Sequence, residues 1–230
     1  MYRYETHLHT TTVSACSYFQ PQQVVEKFVR LGYKGIFVTD HFLNGNTTVD
    51  RKLPYSQQIE KYCEGYEQVK ELAEGKFDVF FGFEYSYWGT DFLVYGLDKA
   101  WLLKHPEIME MTPKEFFAFA RKEGGMVIQA HPFRQDFYID HVRLYTSDVD
   151  GFEVLNISRR EIENKVAKMY AEMYGMPQTA GSDIHGIGHK MLAGMEFETP
   201  LKSEKDYCER ILKGEGKIFS IRDEKYADQE

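Results

Sequence analysis

Short apolar runs alternate along this chain with longer stretches in which apolar residues recur every three or four positions. A short, continuously apolar run bounded by Gly, Pro or polar residues is typical of a strand buried on both faces. We therefore predict strands over 2–9, 35–39, 77–83, 92–97, 126–130, 151–155, 177–180, 194–197 and 217–221.

The stretches between these runs predict amphipathic helices. Pro21 suits the first position of a helix, and an apolar stripe continues to Leu31 before Gly32 ends it. Capping boxes at 112–115 and 158–161 predict the start of two more helices. The predicted helices cover 21–31, 59–75, 113–123, 158–174 and 203–212.

Strands that alternate with helices predict parallel βα units in one sheet. About seven such units in 230 residues favour a closed barrel slightly smaller than the eightfold one. We place this single domain at 1–222 and expect a polar C-terminal tail at 223–230. An open doubly wound sheet is the alternative, but it would bring fewer strand ends to one point.

Composition narrows the function classes. The net charge of −8 argues against a surface built to hold nucleic acid, and 43% hydrophobic residues suit one domain with a real core. Three widely spaced cysteines, Cys16, Cys63 and Cys208, predict no disulfide framework and a reducing compartment. With neither a signal segment nor an apolar run of about 18 residues, we expect a cytoplasmic protein without membrane contact.

Histidines and carboxylates follow the predicted strands at their carboxyl ends. His7 and His9 stand two positions apart, so both imidazoles point to one side of the first strand. Later strands end at His41, Glu84, His131, Asp183 and His185. In a barrel of parallel strands these ends meet at one mouth. His105, His141 and His189 fall in loops or helix flanks and receive no site role, and Asp40 is predicted to cap the turn after its strand.

The donor types and their number predict a metal cluster. Imidazole and carboxylate without thiolate suit Zn, Mn or Fe. Seven donors exceed what one tetrahedral ion needs, so we expect two or three divalent ions, with Glu84 as a bridging carboxylate. Such ions would generate a metal-activated hydroxide at neutral pH and clamp a phosphoryl group.

Five short motifs together resemble those of the PHP family, named for polymerase and histidinol phosphatase. In chain order they are His7-Leu8-His9-Thr10, Thr39-Asp40-His41, Phe83-Glu84, Ala130-His131-Pro132 and Gly181-Ser182-Asp183-Ile184-His185. The resemblance implies a distorted (β/α)7 TIM-like barrel and a trinuclear metal site for phosphoester hydrolysis, in which Glu84 and Asp183 are also catalytic. It implies that His7, His9, Glu84 and Asp183 hold the first ion, Glu84 and His131 the second, and His41 and His185 the third.

The chain departs from the family pattern at two ligand positions. Many members carry an Asp or His shortly after the first motif, where this chain has 11–16, ending in Cys16. Many also carry a further His before the His-Pro motif, and none stands at 93–98; His105 lies too far along the chain. The second and third ions are therefore expected to be less well supplied with ligands than the first.

Two polar residues are candidates for binding substrate. Arg134 completes a His-Pro-x-Arg sequence similar to that in family phosphoesterases that act on small molecules, and a guanidinium suits a phosphate. Asn156 ends the strand 151–155 and should face the mouth, where it hydrogen-bonds phosphate or orders a ligand. Tyr85, Tyr87 and Trp88 follow Glu84 and are interpreted as packing residues.

The expected function is hydrolysis of a phosphate ester of a small metabolite, such as a nucleotide, a sugar phosphate or a histidinol-phosphate-like compound. The expected partner is thus a small phosphorylated substrate, with a nucleic acid disfavoured. Two alternatives stay open: a metal-dependent amidohydrolase or deacetylase, and a non-catalytic metal-binding module of the same fold.

Overall fold

A computed structural model describes residues 1–226 of the chain and contains every strand and helix predicted from the sequence. The strands are β1 (Tyr2–Glu5), β2 (Gly35–Val38), β3 (Asp78–Tyr87), β4 (Thr90–Tyr95), β5 (Met126–Ala130), β6 (Gly151–Asn156), β7 (Gln178–Gly181), β8 (Met191–Phe197) and β9 (Lys217–Arg222). The helices are α1 (Pro21–Arg30), α2 (Tyr55–Leu72), α3 (Lys99–Lys104), α4 (Pro113–Lys122), α5 (Glu161–Tyr174) and α6 (Glu204–Leu212). Helix α3 was not predicted; it begins after Asp98, whose side chain accepts a hydrogen bond from the Trp101 amide.

All nine strands belong to one sheet, in the order β7-β6-β5-β4-β3-β2-β1-β8-β9. The sheet curls until the residues that follow β1 and β7 meet. The His9 amide donates to the Ile184 carbonyl at 3.0 Å, and the Ile184 amide donates to the His7 carbonyl at 3.3 Å. The predicted α/β barrel is thus confirmed in its coarse form, a nearly closed single-sheet barrel.

The regular repeat of seven βα units is not confirmed, because two strands run against it. β4 is antiparallel to both β3 and β5, and β8 is antiparallel to both β1 and β9 at the sheet's other end. β3 turns tightly at Trp88 and Gly89, both at positive φ, and returns directly as β4. Because β4 is reversed, its first residues, rather than its last, lie at the mouth of the barrel.

Aromatic side chains fill the barrel below the mouth. Tyr4, Phe37 and Tyr95 are fully buried there, and Tyr207 from α6 packs against Phe37 and Tyr95 with ring centroids 4.5 and 5.0 Å apart. Each large apolar side chain buried in this way contributes roughly 1.5–3 kcal/mol. Helix α6 therefore covers one end of the barrel, and the polar strand ends occupy the other.

The structure changes the prediction for the start of α5. α5 begins at Glu161, after Arg160, and Ser158 does not cap it. The Ser158 hydroxyl instead donates to the carbonyls of Ser182 and Asp183, at 2.9 and 3.0 Å, and so ties the end of β6 to the end of β7. The better-placed acceptors on the neighbouring strand end outcompete the cap.

The predicted polar tail, 223–230, begins as packed structure. Asp223 is fully buried against α1, and Glu224–Tyr226 form a short 3₁₀ turn. Residues 227–230 of that tail lie outside the described residues. Between residues 1 and 226, no helix is both long enough and apolar enough to cross a membrane.

Candidate metal centre

Four buried side chains from distant parts of the sequence meet at the centre of the mouth. His7 Nε2 lies 3.1 Å from His9 Nε2 and 3.3 Å from Glu84 Oε1. His9 Nε2 lies 3.3 Å from Asp183 Oδ1. All four residues are almost completely inaccessible to solvent. Their donor atoms thus surround one small volume, as the sequence predicted.

The other three predicted donors surround this centre. His131 Nε2 lies 3.3 Å from Glu84 Oε1, and His41 Nδ1 lies 2.7 Å from Glu84 Oε2. His185 Nδ1 lies 3.5 Å from Asp183 Oδ1. The structure therefore brings all seven predicted residues together, with Glu84 in the middle; that they bind metal stays a prediction.

The backbone around the first two histidines differs in detail from the predicted strand. β1 ends at Glu5, and in the segment 6–9 that follows, Leu8 forms an isolated β-bridge with Ile184. The Glu5 carboxylate, itself buried, accepts hydrogen bonds from the amides of His7 and Ser182 at 2.9 Å each. Glu5 thus fixes the segment on which the two histidines still alternate to one side.

Two of the donors sit on strained backbone. His131 has a φ of +29° and Asp183 a φ of +52°, values that side chains other than Gly rarely adopt. Such residues cost on the order of 1–3 kcal/mol each and persist only where the surroundings hold them. Strain at two donors indicates that the fold is arranged to aim these side chains.

Charge within the cluster decides the protonation of its members. Burial opposes the charge on Glu84, but neighbouring His41 and His7 outweigh it and hold the pKa of Glu84 well below its usual range. Burial likewise opposes the charge on Asp183, and His7 again helps to hold that pKa low. Burial, with His185 and His41 nearby, lowers the pKa of His9 well below its usual value. Ionised carboxylates and a neutral imidazole are the forms that bind cations. Burial opposes the charge on His7 and His41, but neighbouring carboxylates outweigh it and raise the pKa of both, so a bound cation would displace a proton from each.

The donor set fits divalent metal ions. In the part of the chain that the structure describes, the buried atoms Glu84 Oε2 and His41 Nδ1 have no hydrogen-bond partner, although they lie close together. These two atoms form a buried ion pair 2.7 Å apart, and a cation bound by both after a small separation of the pair would give each a well-directed partner. Donor atoms lie within 4.8 Å of one another in four triplets: His9, His41 and His185; His7, His131 and Asp183; His7, His9 and Glu84; and Glu84, Asp91 and His131.

Glu153 is a site residue that the sequence analysis missed. It lies buried on β6, where its Oε1 is 2.9 Å from His7 Nδ1 and its Oε2 accepts from the His131 amide at 3.0 Å. By engaging Nδ1 it turns Nε2 of His7 toward the centre, and outer partners of this kind tune metal ligands. A single acidic residue inside the apolar run 151–155 was the available signal.

Asp40 has a positioning role different from the one predicted. Its carboxylate accepts from the Thr10 amide at 2.6 Å, from the Thr10 hydroxyl at 2.7 Å and from the Ser14 hydroxyl at 2.7 Å. It therefore holds the loop after β1 and not the turn after its own strand. Ser14 Oγ in turn lies 3.1 Å from His9 Nδ1, so this loop also orients His9.

Arg134 and Asn156, the two predicted substrate contacts, occupy different places. Arg134 lines a cavity of about 320 Å³ above the metal-ligand cluster, where Arg159 also lies. Its Nη1 is 3.1 Å from Asp91 Oδ2. Asn156 is fully buried and donates from Nδ2 to Glu153 at 2.8 Å and to Asp183 Oδ2 at 3.3 Å. This placement favours the ordering of Asp183 as the role of Asn156.

Cys16 lines the same cavity, beside His41 and His185. Burial raises the pKa of the Cys16 thiol, but hydrogen bonds from these two histidines lower it, to about 6. Two of the histidines without a site role lie elsewhere, with His105 paired to Glu107 at 2.8 Å and His141 to Asp140 at 3.0 Å. The structure thus separates the strand-end histidines from these two as the sequence predicted.

Comparison with known proteins gives a family match and a set of structural neighbours. Residues 161–215 match the family model described as PHP-associated. A search of curated proteins found no match to the sequence. A solved two-domain protein of Bacteroides vulgatus, containing a predicted PHP-like metal-dependent phosphoesterase, superposes with a TM-score of 0.69 at 16% identity, covering 95% of this chain and 64% of that one. The chain therefore spans less than two thirds of that protein.

Two further solved structures share the fold over most of their length. A candidate metal-dependent phosphoesterase of Bifidobacterium adolescentis superposes with a TM-score of 0.56 at 15% identity, covering 81% of this chain and 88% of that one. An amidohydrolase of Chromobacterium violaceum, solved with bound sulfate and no metal, superposes with a TM-score of 0.58 at 15% identity, covering 99% of both chains. At these identities the likeness establishes the fold.

Proposed function

We propose that this chain is a member of the PHP family and a metal-dependent phosphoesterase that hydrolyses phosphate esters of a small metabolite. The observation that carries the proposal is the convergence of seven imidazole and carboxylate side chains around Glu84, beneath a cavity that Arg134 lines. The PHP-associated match over 161–215 and the metal-dependent phosphoesterases among the structural neighbours support the same reaction class.

The residues that would hold the ions divide into three overlapping groups. His7, His9, Glu84 and Asp183 surround the centre, Glu84 and His131 lie to one side, and His41 and His185 lie at the rim. When bound, two or three ions of Zn, Mn or Fe would lower the pKa of a coordinated water and neutralise charge on a phosphoryl group. Glu84 would serve more than one ion, because its two oxygens face different histidines.

The protein's own side chains supply orientation and charge. Glu153 holds His7 by its Nδ1, and Asn156 holds Asp183, so these two donors keep one direction in the absence of a ligand. Arg134 lines the cavity as a cation, held by Asp91 at 3.1 Å and by the Gly89 carbonyl at 3.3 Å, and a guanidinium is the side chain best suited to phosphate oxygens.

The size of the cavity and its two arginines favour a small anionic substrate, provided that cations neutralise Glu84, Asp91 and Asp183 in the same lining. A volume of about 320 Å³ is at the lower end of small-molecule sites, and Arg134 and Arg159 both line it. A nucleotide, a sugar phosphate or a histidinol-phosphate-like compound fits this description. The net charge of −8 disfavours a nucleic acid as the partner.

Amidohydrolysis is the second candidate, favoured by the amidohydrolase among the structural neighbours. A cluster of imidazoles and carboxylates at a barrel mouth also suits attack on a C–N bond. The two reactions differ in the charge of the substrate, and Arg134 favours the phosphate.

The deciding experiment strips the protein of metal, reloads it separately with Mn²⁺, Zn²⁺ or Fe²⁺, and compares a panel of phosphate esters with a panel of amides. We expect hydrolysis of phosphate esters only, and only after reloading. Arg134→Gln should lower kcat/KM for phosphate esters by about 10²-fold, the size of effect seen when a donor to a developing oxyanion is removed. Turnover of amides with inert phosphate esters would overturn the proposal and favour the second candidate. Metal uptake with no turnover of either panel would favour a non-catalytic binding module.

A further inference from the structure

Asp91 is a buried carboxylate at the mouth that the family resemblance leaves without a role. It lies on β4, 4% exposed, with its Oδ2 3.8 Å from His131 Nε2. One oxygen of Asp91, one of Glu84 and a ring nitrogen of His131 all lie within 4.8 Å of one another. Asp91 thus faces the position at which the second ion has only Glu84 and His131 as expected ligands.

The reversal of β4 explains why Asp91 is at the mouth. In the sheet β4 lies between β3, which carries Glu84, and β5, which leads into His131. Asp91 pairs with Ser86 on one side and with Ala130 on the other. Because β4 is reversed, it can supply a donor to the mouth only from its first residues. A parallel strand would have supplied a donor at its other end, at 93–98.

We propose that Asp91 is a ligand of the second metal ion, together with Glu84 and His131. The inference rests on the proposed function, since it assigns a residue to the same metal cluster. The oxygen of Glu84 on this side is Oε1, which lies 3.3 Å from His131 Nε2, whereas Oε2 faces His41 on the other side of the cluster. Asp91 takes the place of the expected additional histidine.

Asp91 supplies a carboxylate where an imidazole was expected, and this difference changes which metal ion the second position prefers. Two carboxylates and one imidazole form a harder donor set than the three imidazoles of His9, His41 and His185. Hard oxygen donors suit Mn²⁺, and imidazole suits Zn²⁺. The second position should therefore take Mn²⁺ more readily than the position of the three histidines does.

A competing role for Asp91 is to hold Arg134, whose Nη1 lies 3.1 Å from Asp91 Oδ2. A carboxylate has two oxygens with several lone pairs, so an ion and a guanidinium can share it. The two roles are separable because Arg134 can be altered without removing the carboxylate. Asp140, an exposed carboxylate paired with Arg143, provides a control outside the cluster.

The experiment measures metal binding directly and needs no substrate. Wild type, Asp91→Asn, Arg134→Gln and Asp140→Asn are stripped of metal and titrated with Mn²⁺ by calorimetry and electron paramagnetic resonance, and the bound metal is counted by mass spectrometry. We expect Asp91→Asn to lose one Mn²⁺ or to bind it at least about 10-fold more weakly, an effect of the size known for residues that support metal ligands. Arg134→Gln and Asp140→Asn should bind as wild type does.

Each other outcome counts against the inference. An Asp91→Asn protein that binds Mn²⁺ as wild type does would overturn it while leaving the proposed function intact. An equal loss in Arg134→Gln would assign the effect to the ion pair and also overturn it. A wild type that binds no metal would overturn the proposed function itself. If Asp91→Asn does not fold, Asp91→His carries the test, because it should keep the second ion and shift its preference toward Zn²⁺.

Discussion

Buried charge is handled in opposite ways in two regions of this molecule. Under α1, Lys27 Nζ donates to the carbonyls of Ile187 and His189 at 2.7 and 2.9 Å and to Asp223 at 2.9 Å. Both oxygens of Asp223 also accept from Arg30, at 2.7 Å each. Every ammonium hydrogen of Lys27 has an acceptor, so we call this group of Lys27, Arg30 and Asp223 closed.

The cluster at the mouth is open by comparison. Glu84 Oε2 and His41 Nδ1 lack hydrogen-bond partners among residues 1–226, and two donors sit on strained backbone. In a closed group each buried charge is compensated, so removing one partner costs stability, whereas an open group costs stability until something binds. The difference indicates that the charged group under α1 stabilises the fold and that the cluster at the mouth binds a ligand.

Replacing Glu84 tests the open cluster most severely. Glu84→Gln keeps the shape but removes the charge that faces four histidines, and we expect turnover to fall by about 10³-fold or more, as when a main stabilising group is lost. Circular dichroism should show the fold retained. A variant with full activity would mean that the cluster does not act as a metal centre.

Replacing Asp223 should have the converse effect. Asp223→Asn leaves the buried Lys27 ammonium without its counter-ion, which we expect to lower the free energy of unfolding by about 3 kcal/mol. Urea unfolding measures the loss. Activity per folded molecule should be unchanged at low temperature; a drop in activity without a drop in stability would break the contrast between the two regions.

Glu153→Gln should have a smaller effect, because Glu153 acts through His7. Loss of the charge beside His7 Nδ1 is expected to weaken metal binding by about 10–100-fold. Titration of metal-free protein with Mn²⁺ or Zn²⁺ measures the change. Glu161→Gln, at an exposed carboxylate in the first turn of α5, serves as a control for the loss of one negative charge. An unchanged affinity in Glu153→Gln would limit Glu153 to a structural role.

The smallest expected effect is that of acid on the stability that Asp223 contributes under α1. Burial raises the pKa of Asp223, but hydrogen bonds from Arg30 and Lys27 outweigh it and lower that pKa from 3.8 to about 2. The unfolded chain therefore takes up this proton first, so the stabilisation is complete above about pH 4 and is lost as the pH falls toward 2. The stability gap between wild type and Asp223→Asn should narrow by about 2 kcal/mol over that range. Urea unfolding at successive pH values would contradict the assignment if the gap stayed constant.

Periodicity and strand-end chemistry predicted most of the fold and all seven clustered donors, because both depend on local sequence. They could not reveal the direction of a strand. The run at 92–97 was correctly predicted as a strand, but its antiparallel course is set by the tight turn at Trp88 and Gly89 and by pairing with β3. The search for a donor therefore looked at 93–98, the wrong end, and passed over Asp91. Glu153 was missed for a related reason, since an acidic residue in mid-strand is meaningful only once its partner His7 is known.

The tight hairpin between β3 and β4 also determines where new specificity can be built. On that side the two strands join through Trp88 and Gly89 alone, and no long segment is present to be lengthened or reshaped. The segments 6–20, 39–54 and 131–150, by contrast, are long connections between elements. Engineering for a different substrate should vary these three segments outside the site residues that they carry, among them His7, His9, His41 and His131, and keep the hairpin constant, because the hairpin's shortness keeps Glu84 and Asp91 on neighbouring strands.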